Sequence, residues 1–368
     1  QESRGLGDVY KRQQVRSAAA DQRPVLIRGG DTKAFYGNAF VPNGASPVMM
    51  DMRCLKGIVN YQPSELVVTA LAGTPLQEVL DTLDASGQML AFEPPAFGAG
   101  ATVGGSVSAG LSGPGRLAAG PLKDFVLGAH LLDAQGRILK FGGEVMKNVA
   151  GYDVSRLLAG AMGSFGALTQ VSLKVAPKPF EICTLEWELD EAESLKRCHS
   201  WRAHPLSVSA TAWEAMAATG RLRVRLAGAA AALRSARQKL GGALVDQEQA
   251  QVYWTALREQ QLPFFKTEVL WRVAVAPGTG PLGLGPTLIE WGGGQRWIAA
   301  SLDAAEVRDA AARVGGHATQ FRAQAPSMHP QSGVFHPVAP GLRAITQRLK
   351  NEFDPQGLFN PGRLIPKA

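Results

Sequence analysis

The chain has 368 residues, 45% of them hydrophobic, which is enough for two or three packed domains and too apolar for a disordered chain. Lys and Arg exceed Asp and Glu by 38 to 31, yet the two signs are interleaved and no basic–aromatic block occurs, so no nucleic-acid partner is expected. Cys54, Cys183 and Cys198 form neither a disulfide framework nor a metal or iron–sulfur pattern, and no apolar run approaches the roughly 20 residues that cross a bilayer; a reducing, cytoplasmic setting is expected.

Residues 1–13, Q-E-S-R-G-L-G-D-V-Y-K-R-Q, show no periodicity and no initiator Met. They are expected to be an artefactual segment outside the fold, with the natural N-terminus and its first helix missing. Val25-Leu26-Ile27 reads as a short strand running into Arg28-Gly29-Gly30-Asp31-Thr32-Lys33. The glycines let consecutive N–H groups approach a ligand beside a hydroxyl and two cations, a nest for phosphate or pyrophosphate, although Gly-Gly after a strand also fits an ordinary turn. Glu65 to Thr69 is strand-like. Thr74, Pro75 and Gln77 predict a capped helix with Leu76, Val79, Leu80 and Leu83 on one face and Gly87 at its end.

A stretch of small residues covers 96–120. Within it, Gly98-Ala99-Gly100-Ala101-Thr102-Val103-Gly104-Gly105-Ser106 nearly spells G-x-G-x-x-G, with Asp124 further on. Val103 stands at the third glycine position, however, and Pro94-Pro95 sits where the preceding strand should be, so a nicotinamide site is not expected. Such small side chains still let a backbone lie flat against an extended ligand.

Phe125–Leu132 and Arg137–Phe141 predict a hairpin around Asp133-Ala134-Gln135-Gly136. A helix is expected after Asp153 and a strand through Val171, Leu173 and Val175, and Pro177 and Pro179 mark a domain boundary. Beyond it, Arg221–Leu226 alternates strictly, Ala229–Leu240 reads as a helix closed by Gly241-Gly242, and Asp190 with Glu193 and Asp303 with Glu306 give capping boxes. Strands and helices mix without a repeated βα unit, which argues for an α+β arrangement. All seven tryptophans fall in this middle segment, where core packing accounts for most. Pro340–Phe353 is the last predicted helix, with Leu342, Ile345 and Leu349 on one face.

No G-x-S-x-G, H-E-x-x-H or Walker A motif is present. His199 and His204 lie in the middle segment and His329 and His336 in a Pro-rich loop. His317, in Gly315-Gly316-His317-Ala318-Thr319, is the one candidate catalytic histidine, with a structural role as its alternative reading.

Taken together, these pieces resemble the vanillyl-alcohol-oxidase/para-cresol-methylhydroxylase (PCMH) type of FAD-binding fold from about residue 23 onward. R-G-G-D-T-K resembles that family's pyrophosphate loop and Ala101–Ser106 its A-T-[IV]-G-G segment. Lys123–Gly128, Lys147–Asp153, Gly163-Ser164-Phe165-Gly166 and Phe359-Asn360-Pro361-Gly362 resemble later segments of the family. Phe141–Met146, Leu257–Phe265 and Gly315–Thr319 are similar, more narrowly, to the FAD-binding subunits of bacterial glycolate oxidases.

The resemblance implies an α+β fold: a PCMH-type FAD-binding domain of two α+β subdomains over 14–176, completed by a C-terminal return over 331–368, with an inserted α+β cap at 177–330. It implies cofactor contacts from Arg28, Gly29, Gly30, Asp31, Thr32, Lys33, Pro94, Thr102, Val103, Gly104, Gly105, Ser106, Gly110, Asp124, Gly166 and Asn360. FAD is expected to be non-covalent, because Asp31 and Thr32 stand where some members carry an attachment histidine. The clustered histidine metal motif of related 2-hydroxy-acid dehydrogenases is missing, and no metal is expected. The implied activity is oxidation of glycolate, or another small 2-hydroxy acid, to the 2-oxo acid. It would be shared with a sister FAD-linked subunit and an iron–sulfur subunit, with peripheral attachment of the complex to the inner membrane. A self-sufficient 2-hydroxy-acid oxidoreductase and a non-catalytic scaffold subunit are the alternatives.

Overall fold

The two ends of the chain meet in one small core. In the computed structural model, which describes residues 2–40, 45–143, 153–216 and 219–366, helix α1 (Glu2–Ala20) leads into strand β1 (Val25–Arg28), which pairs in parallel with β2 (Val48–Asp51). Phe359 bridges Val25, whose N–H donates to Leu358 O while Asn360 N donates to Val25 O. Val15, Ala18, Val25, Met50, Leu358 and Phe359 are buried together. Residues 2–13, expected to stand outside the fold, are instead the first part of α1. Lys11 is buried and Arg12 Nε donates to Gly136 O at 2.8 Å. Their apolar content is too sparse to announce a helix, and the face they bury includes a lysine stem.

The chain continues through β3 (Ile58–Gln62), β4 (Val67–Leu71), α2 (Leu76–Asp84), β5 (Gln88–Met89), α3 (Val103–Ala109), α4 (Arg116–Ala119), β6 (Val126–Leu132), β7 (Ile138–Gly142), α5 (Val154–Leu158), β8 (Ala167–Lys174) and β9 (Ala176–Pro177). Five of these strands form an antiparallel sheet in the order β3-β4-β8-β6-β7. Val68, Val171 and Leu173 on the sheet, Val79 and Leu83 on α2 and Val103 and Val107 on α3 share its core. The β6–β7 hairpin forms as expected; the buried Asp133 carboxylate accepts from the N–H groups of Gln135 and Arg137 and ties the turn. The capping box at α2 does not form. Thr74 Oγ1 accepts from Gly57 N and donates to Gly57 O, so a tertiary partner takes the hydroxyl, and Gln77 donates to Asp81 instead. The segment Glu144–Tyr152, which carries most of one family-like motif and the end of another, lies outside the described residues.

The remaining elements are β10 (Glu181–Glu188), α6 (Glu191–Trp201), β11 (Val208–Ala215), β12 (Gly220–Gly228), α7 (Ala230–Leu240), β13 (Ala243–Leu244), α8 (Gln247–Arg258), β14 (Val269–Ala274), β15 (Thr287–Glu290), β16 (Gln295–Ile298), α9 (Ala304–Arg313), β17 (His317–Ala323) and α10 (Pro340–Phe353). The eight strands make one antiparallel sheet in the order β13-β10-β12-β11-β15-β16-β14-β17. Period-2 alternation separates its faces. On one face Leu222, Val224 and Leu226 pack under α6 and α7, and Trp271, Val273 and Ile298 under α9. On the other, Ala212, Leu288, Trp297 and Phe321 pack with Trp254 and Leu257 of α8 and against Tyr36, Leu111 and Met162 of the first half.

The expected inner face of α10 is corrected: Leu342 and Ile345 are each 54% exposed, and only Leu349 and Phe353 reach the core. What holds the return instead is polar. The Lys350 ammonium pairs with the buried Asp354 carboxylate and donates to Ser164 O and Phe359 O, and Asp354 accepts from the N–H groups of Leu358 and Phe359.

Candidate functional site

A cleft of about 280 Å³ opens where β1 ends, between the loop 28–34, the exposed side of α3 and the C-terminal return. Arg28, Gly29, Gly30, Asp31, Thr32, Lys33, Thr102, Gly104, Gly105 and Asn360 of the sequence-derived site all line it. The amides of residues 30–33 donate to no protein acceptor among the described residues. Turn bonds from Ala34 N to Asp31 O and Tyr36 N to Lys33 O hold the loop's shape. Asp31 sits at φ 55°, a left-handed conformation that Asp tolerates better than most residues, and its carboxylate is neutralised by Arg28. The result is a concave set of donors that fits a pyrophosphate.

The two glycines serve contact between loops. A Cβ on Gly30 would fall 1.5 Å from Gly100 O, and one on Gly29 would fall 2.5 Å from Thr102 Oγ1. Thr102 caps α3 by accepting from Gly105 N. Val103 N donates to Thr74 O and Gly104 N to Ala72 O, so the first turn of α3 spends its amides on the protein. Its face of Gly105, Ser108 and Ala109 is what the cleft presents.

The other six sequence-derived residues do not line the cleft. Pro94, Val103 and Ser106 are buried. Gly110, at φ 66°, ends α3 where a Cβ would lie 2.7 Å from Gly160 Cα. Gly166, at φ 148°, directly precedes β8, where a Cβ would lie 2.5 Å from Leu132 O. Asp124 pairs with Arg156 at 3.7 Å.

Asn360 joins three segments: its Oδ1 accepts from Ile27 N at 2.9 Å and its Nδ2 donates to Met162 O at 2.7 Å. Sequence reasoning missed Met162, Ser108 and Arg363 on the same wall. Arg363 donates to the carbonyls of Asn38, Ala34 and Tyr36, clasping the end of the nest loop, and burial lowers its pKa against the pull of Asp31. A cation directly after Asn360-Pro361-Gly362 was the available signal.

Lys33 is the cleft's one lysine among the described residues. Its Nζ donates to Ala96 O and lies 5.6 Å from the centre of the Phe97 ring. Burial pushes it down to about 8, with Glu259 partly opposing the shift. Glu259, at the end of α8, accepts from the N–H groups of Ala96 and Phe97 and so fastens this loop to the second half of the molecule.

Beyond the cleft, the sheet face turned toward the first half carries Arg272, Glu290, Gln295 and Trp297 around a small interface cavity. His317 starts β17 and lines neither space; its pKa is lowered first by burial and then by the cations Arg272, His336 and Arg116. Glu290 accepts from Gln295 Nε2 and Trp297 Nε1, and burial pushes its carboxyl up to about 7. The folded chain therefore binds a proton there that the unfolded chain has released, so between about pH 4.5 and 7 stability falls as pH rises. Glu290→Gln keeps an acceptor for both donors and removes the charge. It is expected to raise Tm by a few degrees at pH 8 and to leave it unchanged near pH 4.5, by calorimetry at the two pH values.

Free loop amides at the end of a strand, met by a second glycine loop and a C-terminal return, define an FAD-binding domain of the PCMH type. A family model described as an FAD binding domain matches residues 12–142. Crystalline p-cresol methylhydroxylase with substrate bound shares the fold, with a TM-score of 0.68 at 16% identity over 95% of this chain and 85% of its own. The chain is 41% identical to the glycolate oxidase subunit GlcE of Escherichia coli K12 over 96% of its own length and 95% of that protein's. The glycolate oxidase subunit GlcD of Bacillus subtilis 168 is 27% identical over 42% of this chain and 32% of its own length. The chain belongs to the GlcE family of FAD-binding oxidoreductase subunits.

Proposed function

We infer that this chain is the FAD-binding subunit of a glycolate oxidase, contributing to oxidation of glycolate to glyoxylate with partner subunits. The observation that carries this reading is the near full-length likeness to a glycolate oxidase subunit in a chain whose nest loop leaves the amides of residues 30–33 free. FAD, when bound, supplies the two-electron acceptor for the 2-hydroxy acid. Residues 28–33 would hold its pyrophosphate, Gly105, Ser108 and Ala109 would lie against its extended middle, and Asn360 and Arg363 would keep the wall in place. With Asp31 and Thr32 in the loop, attachment is non-covalent. The proposed division assigns residues 14–176 with 331–368 to the cofactor and 177–330 to a cap, and α1 adds residues 2–13 to the cofactor half.

The partners are a sister subunit like the Bacillus subtilis protein and an iron–sulfur subunit that carries electrons onward. No helix among the described residues is long and apolar enough to cross a membrane, so attachment of the complex to the inner membrane would run through a partner.

Glycolate-dependent dye reduction by the chain alone and with its two partners tests the division of labour. Turnover only in the reconstituted complex is expected. Anaerobic bleaching of the single chain's flavin by glycolate would overturn it in favour of a self-sufficient enzyme.

Lys33 gives a second readout. A pyrophosphate beside it raises its pKa above about 8, so FAD binding near pH 8.5 is expected to take up a fraction of a proton. Calorimetric titrations in buffers of different ionisation enthalpy measure that uptake; it should vanish in Lys33→Met, and equal heats in all buffers for the wild type would contradict it.

A further inference from the structure

Helix α8 closes on a carboxylate, Glu259, at the end where the helix dipole favours a cation. The side chain is 12% exposed and its partners lie in the first half of the molecule. Its Oε2 accepts from Phe97 N at 2.8 Å and from Ala96 N at 3.0 Å, so one carboxylate gathers two consecutive amides. Phe97 is left-handed at φ 55°, a costly conformation for an aromatic residue, and these bonds hold it there. The segment so held is the back of the phosphate nest. Lys33 Nζ donates to Ala96 O, a Cβ on Gly98 would meet Thr32 Cγ2 at 3.2 Å, and a Cβ on Gly30 would fall on Gly100 O.

The same carboxylate also acts on Lys33 by charge. Burial lowers the Lys33 pKa and Glu259 pulls it back up. The other charged groups nearby are engaged elsewhere. Arg28 pairs with Asp31, and Arg258 pairs with Glu259 itself. Arg363 donates to the carbonyls of Ala34, Tyr36 and Asn38, and Arg322 to Phe265 O and Gln260 Oε1. A residue of the second half thus sets both the shape and the charge of a nest built by the first.

We propose, resting on the reading that residues 28–33 hold the FAD pyrophosphate, that Glu259 is a positioning residue for the cofactor: it fixes the 96–100 segment behind the nest and presents Lys33 to the pyrophosphate, so that docking of the second half and loading of FAD strengthen one another. The linkage is reciprocal, since a contact that favours one state of the nest favours cofactor and second half by the same factor.

The test is the FAD affinity of the full chain stripped of flavin, by fluorescence quenching, across about pH 6–10. In the wild type, affinity should fall as pH rises above about 8, where the free chain's Lys33 loses the proton that the loaded chain keeps. Glu259→Gln keeps an acceptor and removes the charge. It should weaken FAD about tenfold at neutral pH, and its loss of affinity should begin at a lower pH than in the wild type. Glu259→Asp, which keeps the charge on a shorter stem, should bind less tightly with the wild-type pH dependence. In a Lys33→Met background Glu259→Gln should cost less, because only the loop contact remains to be lost. A Glu259→Gln affinity within about twofold of wild type would overturn the proposal. So would a weakened affinity with an unshifted pH dependence and the full cost in the Lys33→Met background. If Glu259→Gln does not fold, Glu259→Asp decides: a shifted pH dependence overturns the proposal and an unshifted one supports it. A wild-type chain that takes up no FAD at any pH defeats the cofactor reading and the proposal with it, whereas failure confined to the variants defeats the proposal alone.

Discussion

Gly30→Ala is expected to leave the chain unable to retain FAD through purification. The added Cβ would lie 1.5 Å from Gly100 O and 2.2 Å from Gly100 C, so two backbones must part before the methyl fits. Neither loop has slack, because Gly29 is pressed on Thr102 Oγ1 and Lys33 is bonded to Ala96 O on the stem of the second loop. Overpacking of this kind costs up to about 3 kcal/mol, and the widened cleft separates the nest from α3, so FAD affinity should fall about 100-fold. Gly30→Glu should be at least as severe, the cause being the same clash with charge added. Gly341, in the first turn of α10, has nothing within 4 Å of a built Cβ, and Gly341→Ala should bind FAD as the wild type does. Quenching of FAD fluorescence on titration into the stripped proteins measures this; a Gly30→Ala affinity within threefold of wild type would contradict the loop contact.

Asp354→Ala is expected to be the most destabilising of the single changes considered. The carboxylate is 1% exposed, accepts from two backbone N–H groups and neutralises the Lys350 ammonium, whose pKa burial lowers and Asp354 pulls back up. Its removal leaves a partly buried cation against carbonyls and frees the turn that delivers Phe359 and Asn360 to β1. Breaking a buried pair on one side costs about 3–5 kcal/mol, which for a chain of this size is roughly a 4–6 °C fall in Tm. FAD retention should fall with it, because Asn360 then loses its place on Ile27 N and Met162 O. Asp354→Leu combined with Lys350→Met, which removes both charges, should recover part of the loss. Thermal melts followed by circular dichroism decide it; a Tm for Asp354→Ala within 2 °C of wild type would show that the return is held by something else.

Much of this was legible in the residues because the signals were local. Val25–Ile27 ahead of R-G-G-D-T-K, the Asp133–Gly136 hairpin and the alternation from Arg221 to Leu226 each carry their structure within a few positions. The glycines of the nest were legible as a need for close approach. That the approach was to Gly100 was not, since nothing within residues 28–33 points 70 residues ahead. The failures share that cause. Thr74 looks like a helix cap until Gly57 takes its hydroxyl. Leu342 and Ile345 look like a core face, yet α10 is anchored by Lys350 and Asp354. Residues 2–13 bury a lysine stem where a pattern reader looks for leucines. Met162, Ser108 and Arg363 reach the cleft wall from three distant segments, and the carboxyl of Glu290 is raised by its burial in the folded chain, against the hydrogen bonds from Trp297 and Gln295.

The most direct measurement of the central claim is the flavin released when the purified full chain is denatured. About one FAD per chain in the supernatant, with none left on the precipitated protein, is the predicted result. A natively folded chain that yields no FAD even after incubation with an excess, or flavin that stays with the denatured polypeptide, would contradict it.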